Sequence, residues 1–531
     1  MTATENLPVP TREQLIHQLY EAAELEHCLM CTYLYAAFSL KSGTEEGLST
    51  REAEAVASWR QVILQVAIEE MGHLTAVWNI TAALGGSPRF GRGNFPLDPG
   101  TLPAGMVVKL APFCEAVLQH FIHLERPGSS AEQDGVGFVP ERSFTRGIRE
   151  QRLTPMPLDY DTVGVFYASL DESLHAFSNA LGEKVAFCGD PALQLSAAEV
   201  ELHGAKPVLC LKTARAAFLA IVEQGEGAPK HSTLSHFNKF SAIRDELRQL
   251  RAENPHFEPA WPAAENPVLR RPMRDGRIWI ESADAAETVD LANTGYALML
   301  RLLGYSYLIP RPQQQKSLVV DLALGLMRAI TPLAERAARL PVGPSHPGVN
   351  AGMSFTALRD AAPLPPGPSA ERFFVERLRE LSRAASALAS QGERRTQSAA
   401  RLLEALARQA ESGFPAPSSV SSVPPAATTG AITIPAPAPA SATIPAAPLP
   451  TPPLAPPPAG APPVPRVVDG VDHIEGKHLT LLYEGKKCIH SRFCVTWGPQ
   501  SFLANVPGPW IHPDAMRVEA LVEIAHACPS G

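Results

Sequence analysis

Residues 67–76 read AIEEMGHLTA and place Glu70 and His73 three positions apart in an otherwise apolar helical pattern. Residues at this spacing lie on the same face of a helix. Burying an unpaired carboxylate beside the valine, alanine, isoleucine and leucine side chains of this segment would be costly. The pair therefore indicates a metal-binding helix face. The alternative is a solvated Glu-x-x-His stripe, which is common on helix surfaces.

Long helical patterns extend on both sides of this pair. Residues 11–40 carry leucine, alanine and tyrosine at three- and four-residue steps, and Thr11 with Gln14 forms a capping-box pattern at their start. Residues 50–84 form a second helical pattern that ends at a Gly-Gly pair. Strand patterns are scarce in this part of the chain, so the sequence predicts a mainly α fold. Further helical patterns cover 112–124, 162–181, 214–224, 235–251, 285–305, 315–340 and 370–411.

A helix bundle that binds two metal ions usually supplies one Glu from each of two helices and a Glu-x-x-His from each of the other two. On the first helix Glu26 lies two turns before Tyr33, so both share a face. Tyr33 is therefore suited to hydrogen-bond a ligand carboxylate, although it also fits an apolar core. The bare Glu-x-x-His pattern is not specific, since it recurs at Glu24/His27 and Glu172/His175.

A proline-rich segment separates the helical part of the chain from its C-terminal end. Residues 413–465 hold 18 of the 52 prolines and no Asp, Glu, Lys or Arg. Such a segment lacks helical or alternating periodicity and cannot bury enough apolar area to offset its ordering entropy. The sequence therefore predicts a disordered Pro/Ala-rich linker over 413–467, semi-rigid and extended.

Three of the eight cysteines, Cys488, Cys494 and Cys528, follow this linker. Zinc sites normally use four ligands in paired short spacings, which these residues lack. Iron–sulfur clusters are held by thiolates, and a ligand followed directly by proline, as at Cys528, is found in ferredoxins. Three thiolates predict a [3Fe–4S] cluster, or a [4Fe–4S] cluster whose fourth iron takes His490 or a non-protein ligand. Three unrelated buried cysteines are the alternative.

The helical part resembles a ferritin-like family that includes the iminophenyl-pyruvate dimer synthases of bisindole pigment pathways. The resemblance covers residues 11–250 well and is looser to about 410. It implies a ferritin-like four-helix bundle over 11–270 and a helical extension of the bundle over 271–412. The segments that carry it are ELEHCLMCTYLYAAFSLK (24–41), IEEMGHL (68–74), AIVEQGEG (220–227) and SHFNKF (235–240).

The same resemblance implies a set of iron ligands. The first half of the site is matched by Glu26, Glu70 and His73, and the second half by Glu223 or Glu226 together with His236.

The second half departs from the common pattern, because Thr233 stands where a Glu would precede His236 by three residues. An asymmetric site, a site that uses both Glu223 and Glu226, and a single-metal site all remain open. Glu172 with His175 is a rival second-half pair.

The C-terminal residues 468–531 resemble a divergent single-cluster 4Fe–4S domain related to small one-cluster ferredoxins. The resemblance implies a small α+β ferredoxin-like unit with one cluster. It is carried by CIHSRFCV (488–495), PWIHPDAM (509–516) and CPSG (528–531).

Composition narrows the classes of function. A net charge of −8, from 46 Lys and Arg against 54 Asp and Glu, gives no basic surface for nucleic acid. Eight cysteines in 531 residues do not form a disulfide scaffold. Neither a signal-peptide core nor an uncharged membrane-length stretch is evident. We therefore expect a cytoplasmic protein without nucleic-acid or membrane partners, for which homo-oligomerisation remains open.

These features predict a non-haem, di-iron oxidoreductase that acts on a small molecule of secondary metabolism. By the resemblance, its substrate would be an amino-acid-derived imine. The tethered cluster would deliver single electrons, supplied by a ferredoxin reductase or another external donor. Two alternatives remain: a non-catalytic iron-binding or ferroxidase-type protein, and an electron-transfer protein whose bundle is a docking module.

Overall fold

The protein is represented by a computed structural model. Residue contacts divide the chain into two compact units, Met1–Pro415 and Ala416–Gly531. The structure describes residues 9–97, 102, 106–127, 130–139, 160–202, 204–225, 235–272, 276–311, 314–358, 364–390, 392–414, 464–468, 470–488, 493–503, 509–526 and 528.

Two long helices, α1 (Arg12–Ser39) and α2 (Thr50–Ala83), pack along each other in the first unit. Thr11 and Gln14 form the predicted capping box of α1, and Ser49 forms an equivalent one with Glu52 at the start of α2. Each box satisfies backbone N–H groups that the first helical turn leaves unpaired. Both helices therefore begin within a residue of the positions that the sequence predicts.

Two further helix pairs complete the bundle. The helix α3 (Glu115–Leu124) packs on α8 (His236–Glu253), and α4 (Val163–Leu181) packs on α7 (Leu211–Gln224). Contacts from α1 to α4, and from α2 to α7 and α8, attach both pairs to the long helices. Two single-turn helices, α5 (Glu183–Ala186) and α6 (Ala197–Val200), lie between α4 and α7.

Four more helices form the extension, after a two-residue parallel pairing of β1 (Pro267–Val268) with β2 (Ile278–Trp279). They are α9 (Ala283–Ser306), α10 (Gln314–Ala337), α11 (Pro368–Ala389) and α12 (Arg394–Gly413). The single helical stretch predicted over 370–411 is wrong, because Gly392 adopts a φ of 85° and the chain turns there. The pairing of β1 with β2 crosses the boundary that the sequence predicts between the bundle (11–270) and its extension (271–412).

The helix α10 is long and apolar enough to pass as a membrane span by length and composition, yet 56% of its apolar window is buried inside the first unit. It packs against α9 and α12 and also contacts α1. Packing inside the unit thus accounts for its apolar residues.

The second unit is small and mixed. Its sheet has the order β3 (Arg466–Val468), β4 (Val471–Glu475) and β5 (Thr480–Tyr483), all antiparallel. Two helices, α13 (Phe493–Trp497) and α14 (Val518–His526), follow the sheet, and Ile474, Phe502 and Leu521 are central to the core. The predicted α+β class is confirmed. Most of the predicted linker falls outside the described residues, and β3 begins just inside its predicted end.

Candidate metal centre

The Glu-x-x-His pair on α2 meets the predicted carboxylate of α1 inside the bundle. Nδ1 of His73 lies 2.9 Å from Oε2 of Glu70 and 3.5 Å from Oε2 of Glu26. All three residues are buried, with 2% or 3% of their surface exposed. Their ligand atoms lie within 4.8 Å of one another, which is close enough to hold a single ion.

A second cluster shares Glu70 with the first. Nδ1 of His236, at the first residue of α8, lies 3.0 Å from Oε1 of Glu70 and 3.4 Å from Oε2 of Glu125. These three residues also bring ligand atoms within 4.8 Å of one another and are buried. The two oxygens of Glu70 therefore face different histidines, whose rings are 5.8 Å apart between centroids. This is the arrangement of a carboxylate placed between two ion sites.

Each half of the centre has the same kind of outer support. The hydroxyl of Tyr167 donates to Oε1 of Glu26, and the hydroxyl of Tyr33 donates to Oε1 of Glu125. Both bonds occupy the carboxylate oxygen that does not face the histidine. The carboxylates are thereby oriented with one oxygen free for a cation.

The outer nitrogens of the histidines are also held. Nε2 of His73 donates to Oε1 of Gln224 over 3.0 Å, and Nε2 of His236 donates to Oε2 of Glu69 over 2.8 Å. The same Glu69 oxygen accepts from Nζ of Lys239 over 2.6 Å. A donor bond at Nε2 fixes the tautomer that leaves Nδ1 as the ligand atom.

The charges of this cluster are strongly interdependent. Burial and the charge of Glu70 raise the pKa of Glu26 to about 8. Burial alone would lower the pKa of His73, but Glu70 and Glu26 raise it to about 10, and Glu125 and Glu70 likewise raise the pKa of His236. Burial alone would raise the pKa of Glu70, but the charges of His73 and His236 hold it well below its usual range. In the absence of a cation, these shifts favour protons on the histidines and on Glu26 beside the buried carboxylates.

A cation fits the centre better than protons do. Nδ1 of His236 lies close to two carboxylate oxygens but makes no aligned hydrogen bond to either. One cation in contact with this nitrogen and both oxygens would satisfy all three. The mixed set of carboxylate and imidazole donors suits iron. A cavity of about 20 Å³ adjoins Glu26, Glu70, His73 and Glu125, with room for a water-sized molecule.

Only some of the predicted ligands lie in the metal centre. Glu26, Glu70, His73 and His236 converge, whereas Glu223 is exposed on α7 and lies outside both clusters. The predicted Glu226 lies outside the described residues. Of the rival pairs, Glu172 and His175 are exposed on α4, and His27 is buried but belongs to neither cluster.

Sequence reasoning missed Glu125, which completes the second cluster. A signal was present, because Glu125 continues the apolar face of Leu118 and Phe121 at the helical spacing. A carboxylate at a core position needs a partner, and here the partners are His236 and Tyr33. Gln224, next to the predicted Glu223, was missed as well.

In the second unit, Cys488 and Cys528 lie near enough to Cys494 to influence its thiol, and Cys488 interacts with Tyr483 of β5. Burial raises the pKa of Cys494, and the nearby thiols of Cys528 and Cys488 add to the effect. Burial and a hydrogen bond with Cys488 raise the pKa of Tyr483 to about 12. A partly buried thiol with two other thiols nearby suits a site where iron supplies the compensating charge. His490 lies outside the described residues.

Two family models match the chain. Residues 19–245 match the model described as Ferritin-like, and residues 474–531 match the model described as Divergent 4Fe-4S mono-cluster. The first stretch contains every described residue of the centre above, and the second contains all three cysteines.

Two curated proteins are similar to the chain. The 2-imino-3-(indol-3-yl)propanoate dimerase of Chromobacterium violaceum is 26% identical over 64% of this chain and 34% of its own length. The dichlorochromopyrrolate synthase of Lentzea aerocolonigenes is 27% identical over 71% of this chain and 39% of its own length. The chain thus spans between a third and two-fifths of the length of these curated relatives.

A solved structure of a ferritin-like protein from Caulobacter vibrioides matches with a TM-score of 0.42 and 18% identity. The match covers 66% of this chain and all of the other.

Proposed function

We propose that this chain, which carries a ferritin-like domain and a divergent single-cluster 4Fe–4S domain, is a non-haem di-iron oxidoreductase acting on a small molecule of secondary metabolism. The observation that supports two irons rather than one is Glu70. Its two oxygens face His73 and His236 separately, and each histidine has a further carboxylate, Glu26 or Glu125, on the same side. This arrangement gives two equivalent sets of donors around one shared carboxylate.

The residues of the chain hold this centre rigid. Glu26 and His73 would hold one iron, Glu125 and His236 the other, and Glu70 would lie between them. Iron bound there would supply one-electron redox chemistry, giving electrons to dioxygen and accepting electrons from a substrate.

The outer residues determine how the ligands are presented. Tyr33 and Tyr167 hold the far oxygens of the terminal carboxylates, and Gln224 and Glu69 hold the histidines through Nε2. Because the two tyrosines are buried and each ligand is held by a hydrogen bond, the donors are preorganised before a metal ion arrives. The adjoining cavity of about 20 Å³ has room for a water-sized molecule beside the ligands.

The substrate class is proposed from the relatives. The name of the Chromobacterium protein states an imine derived from an indole amino acid, and that of the Lentzea protein states a chromopyrrolate product. We propose an amino-acid-derived imine of this type for the present chain. Single electrons would come from the cluster held by Cys488, Cys494 and Cys528, with an external reductase as their source.

Metal and sulfide analysis tests this proposal most directly. Protein purified without oxygen should contain about two irons per chain beyond those matched by acid-labile sulfide. Glu70→Ala should lose that iron and keep the sulfide. Glu172→Ala is the matched control, since it removes a Glu-x-x-His glutamate that is exposed on α4. Absence of sulfide-independent iron from the unaltered protein would refute the di-iron centre.

Oxygen consumption separates an enzyme from an iron-storage protein. With ferredoxin reductase as electron source, consumption should depend on the added imine and should disappear in Cys494→Ala. Consumption driven by ferrous iron alone, with no response to imine, would instead indicate a ferroxidase.

A further inference from the structure

One aromatic side chain of the second unit reaches a cysteine of the candidate cluster. Tyr483 is the last residue of β5, and the turn after it folds the chain back on itself. In this turn Lys487 donates its backbone N–H to the carbonyl of Glu484 over 3.0 Å, and Cys488 donates to that of Gly485 over 3.3 Å. The side chains of Tyr483 and Cys488 thereby come within hydrogen-bonding reach of each other.

The ring of Tyr483 is held in place by its neighbours. Trp510 meets it edge-on, with the ring centroids 5.0 Å apart, and Trp510 itself lies 6.2 Å from the ring of the core residue Phe502. The phenol also covers Gly485, where an added β-carbon would lie 3.9 Å from the hydroxyl oxygen. The hydroxyl is therefore presented to the turn that carries Cys488.

The pairing of the strands directs Tyr483 toward the core side of the sheet. Tyr483 and Cys494 both pack against the hydrophobic core of this unit, which contains Ile474. Side chains alternate between the two faces of a strand, so Thr480 and Leu482 lie on the opposite face, where both are exposed. Tyr483 is thus on the same side of the sheet as Cys494.

The thiols of Cys488 and Cys494 have different hydrogen-bond donors. The thiol of Cys494 is approached by backbone N–H groups, its own and that of Val495, whereas Cys488 interacts with the side-chain hydroxyl of Tyr483. A hydrogen bond to an iron-bound thiolate stabilises negative charge, and reduction adds one negative charge to a cluster. A donor at Cys488 therefore favours the reduced state.

We propose that Tyr483 is a positioning residue that acts through Cys488: its hydroxyl donates to the cysteine sulfur and raises the reduction potential of the iron–sulfur cluster. Tyr483 keeps its proton and is neither oxidised nor reduced. The single electron passes from the external donor to the cluster and onward to the iron centre. This role rests on the cluster of the proposed function, but on neither the iron centre nor the substrate.

Redox titration of the full chain, followed by electron paramagnetic resonance of the reduced cluster, tests this role. Tyr483→Phe keeps the ring and removes the donor, so the equilibrium between reduced and oxidised cluster should move about tenfold toward the oxidised form. That change lowers the midpoint potential by about 59 mV for one electron. Thr480→Val is the control, because it removes a hydroxyl from the exposed face of the same strand, and should change the equilibrium by less than about twofold.

A stronger donor should have the opposite effect. Tyr483 is the only tyrosine in the sequence after residue 413, so replacing every tyrosine with 3-fluorotyrosine changes one phenol of this unit. The more acidic phenol donates more strongly, and the potential should rise above that of the unaltered protein. A tyrosine that only packs against the core would not give shifts of opposite sign. If Tyr483→Phe does not fold, the fluorotyrosine titration decides the matter.

The role of Tyr483 and the cluster itself fail in different ways. Equal potentials for the unaltered protein and Tyr483→Phe, at equal iron and sulfide contents, would overturn the role of Tyr483 alone. An unchanged or lowered potential in the fluorotyrosine protein would do the same. Absence of acid-labile sulfide from the unaltered protein would refute the cluster of the proposed function, and the role of Tyr483 with it.

Discussion

The two histidines of the metal centre differ in what holds their outer nitrogen. His73 donates to the neutral amide of Gln224, whereas His236 donates to Glu69. Burial would raise the pKa of Glu69, but His236 and Lys239 lower it to about 2, so this partner is a carboxylate anion. An anionic partner makes an imidazole more basic and a stronger metal ligand. The centre is therefore symmetric in its donors and asymmetric in its charge.

This asymmetry predicts the effect of Glu69→Gln. The amide oxygen can still accept the bond from His236, but the charge is gone, so affinity for one of the two metal ions should fall about tenfold or more. Titration with cobalt(II), followed by its absorption spectrum, should show one weakened step and one unchanged step. Glu54→Gln is the control, because Glu54 is exposed on the same helix. Equal weakening of both steps would contradict the assignment of Glu69 to one half.

Metal binding should release protons and weaken as the pH falls. The pKa of His73 is raised to about 10 and that of His236 is raised as well, which favours the protonated imidazoles in the absence of metal, whereas a metal ligand must be neutral. The affinity should therefore rise with pH throughout the range below about 10. Calorimetry in two buffers of different ionisation enthalpy counts the protons released. A binding constant that is independent of pH between 6 and 8 would show that the histidines are not ligands.

At the scale of elements, the carboxylate of Glu46 connects the turn between α1 and α2 to the extension through hydrogen bonds. Glu46 lies in the 3₁₀ turn Thr44–Glu46 and accepts hydrogen bonds from Arg339, Trp261 and the backbone of Ser42. Burial opposes its ionisation, but these bonds lower the pKa of Glu46 to about 2. Its folded-state pKa is below its unfolded value of 4.5, so its stabilisation is complete above pH 4.5 and is lost as the pH falls toward 2.

We accordingly expect Glu46→Gln to lower the free energy of unfolding by about 1–2 kcal/mol at pH 7, the group being partly open to solvent. The difference in the free energy of unfolding between the variant and the unaltered protein should shrink below pH 4.5, because Glu46 becomes protonated in the unfolded chain there. Glu45→Gln, at the exposed neighbouring position, should have little effect. Urea denaturation monitored by circular dichroism at several pH values measures this, and a difference that grows on acidification would contradict it.

The helices that could be predicted from the sequence are those specified by local pattern. The capping residues and the 3.6-residue period of α1 and α2 are local, so their bounds were found closely. The division of 370–411 into α11 and α12 depends on one left-handed glycine, Gly392, which the apolar period does not show.

The candidate site was predictable only in part for a similar reason. Glu70 and His73 share one helix, so their spacing was visible in the sequence. The role of Glu125 depends on how α3 packs on α8, and that packing is not encoded in any spacing. Glu223 and Gln224 differ by one position, which turns a side chain by about 100° on α7. This rotation is why the amide contacts His73 while the predicted carboxylate belongs to neither cluster.

At the scale of the whole molecule, the linker predicted over 413–467 sets the concentration at which the two units meet. A flexible or semi-rigid tether of this length gives an effective concentration on the order of 1 mM. Free units at about 10 μM would meet about a hundredfold less often. Electron transfer from the cluster to the iron centre should therefore depend on an intact linker and little on its composition.

A protease site inserted between residues 430 and 440 tests this dependence. Before cleavage, re-reduction of the iron centre followed by stopped-flow absorption should match that of the unaltered protein. After cleavage at about 10 μM the rate should fall about a hundredfold, and raising the protein concentration should restore it in proportion. Replacing residues 416–463 with a Gly/Ser linker of equal length should leave the rate within about threefold, since reach rather than sequence matters. A cleaved protein that keeps its full rate at every concentration would mean that the two units bind each other directly, and the linker would then serve no purpose in electron delivery.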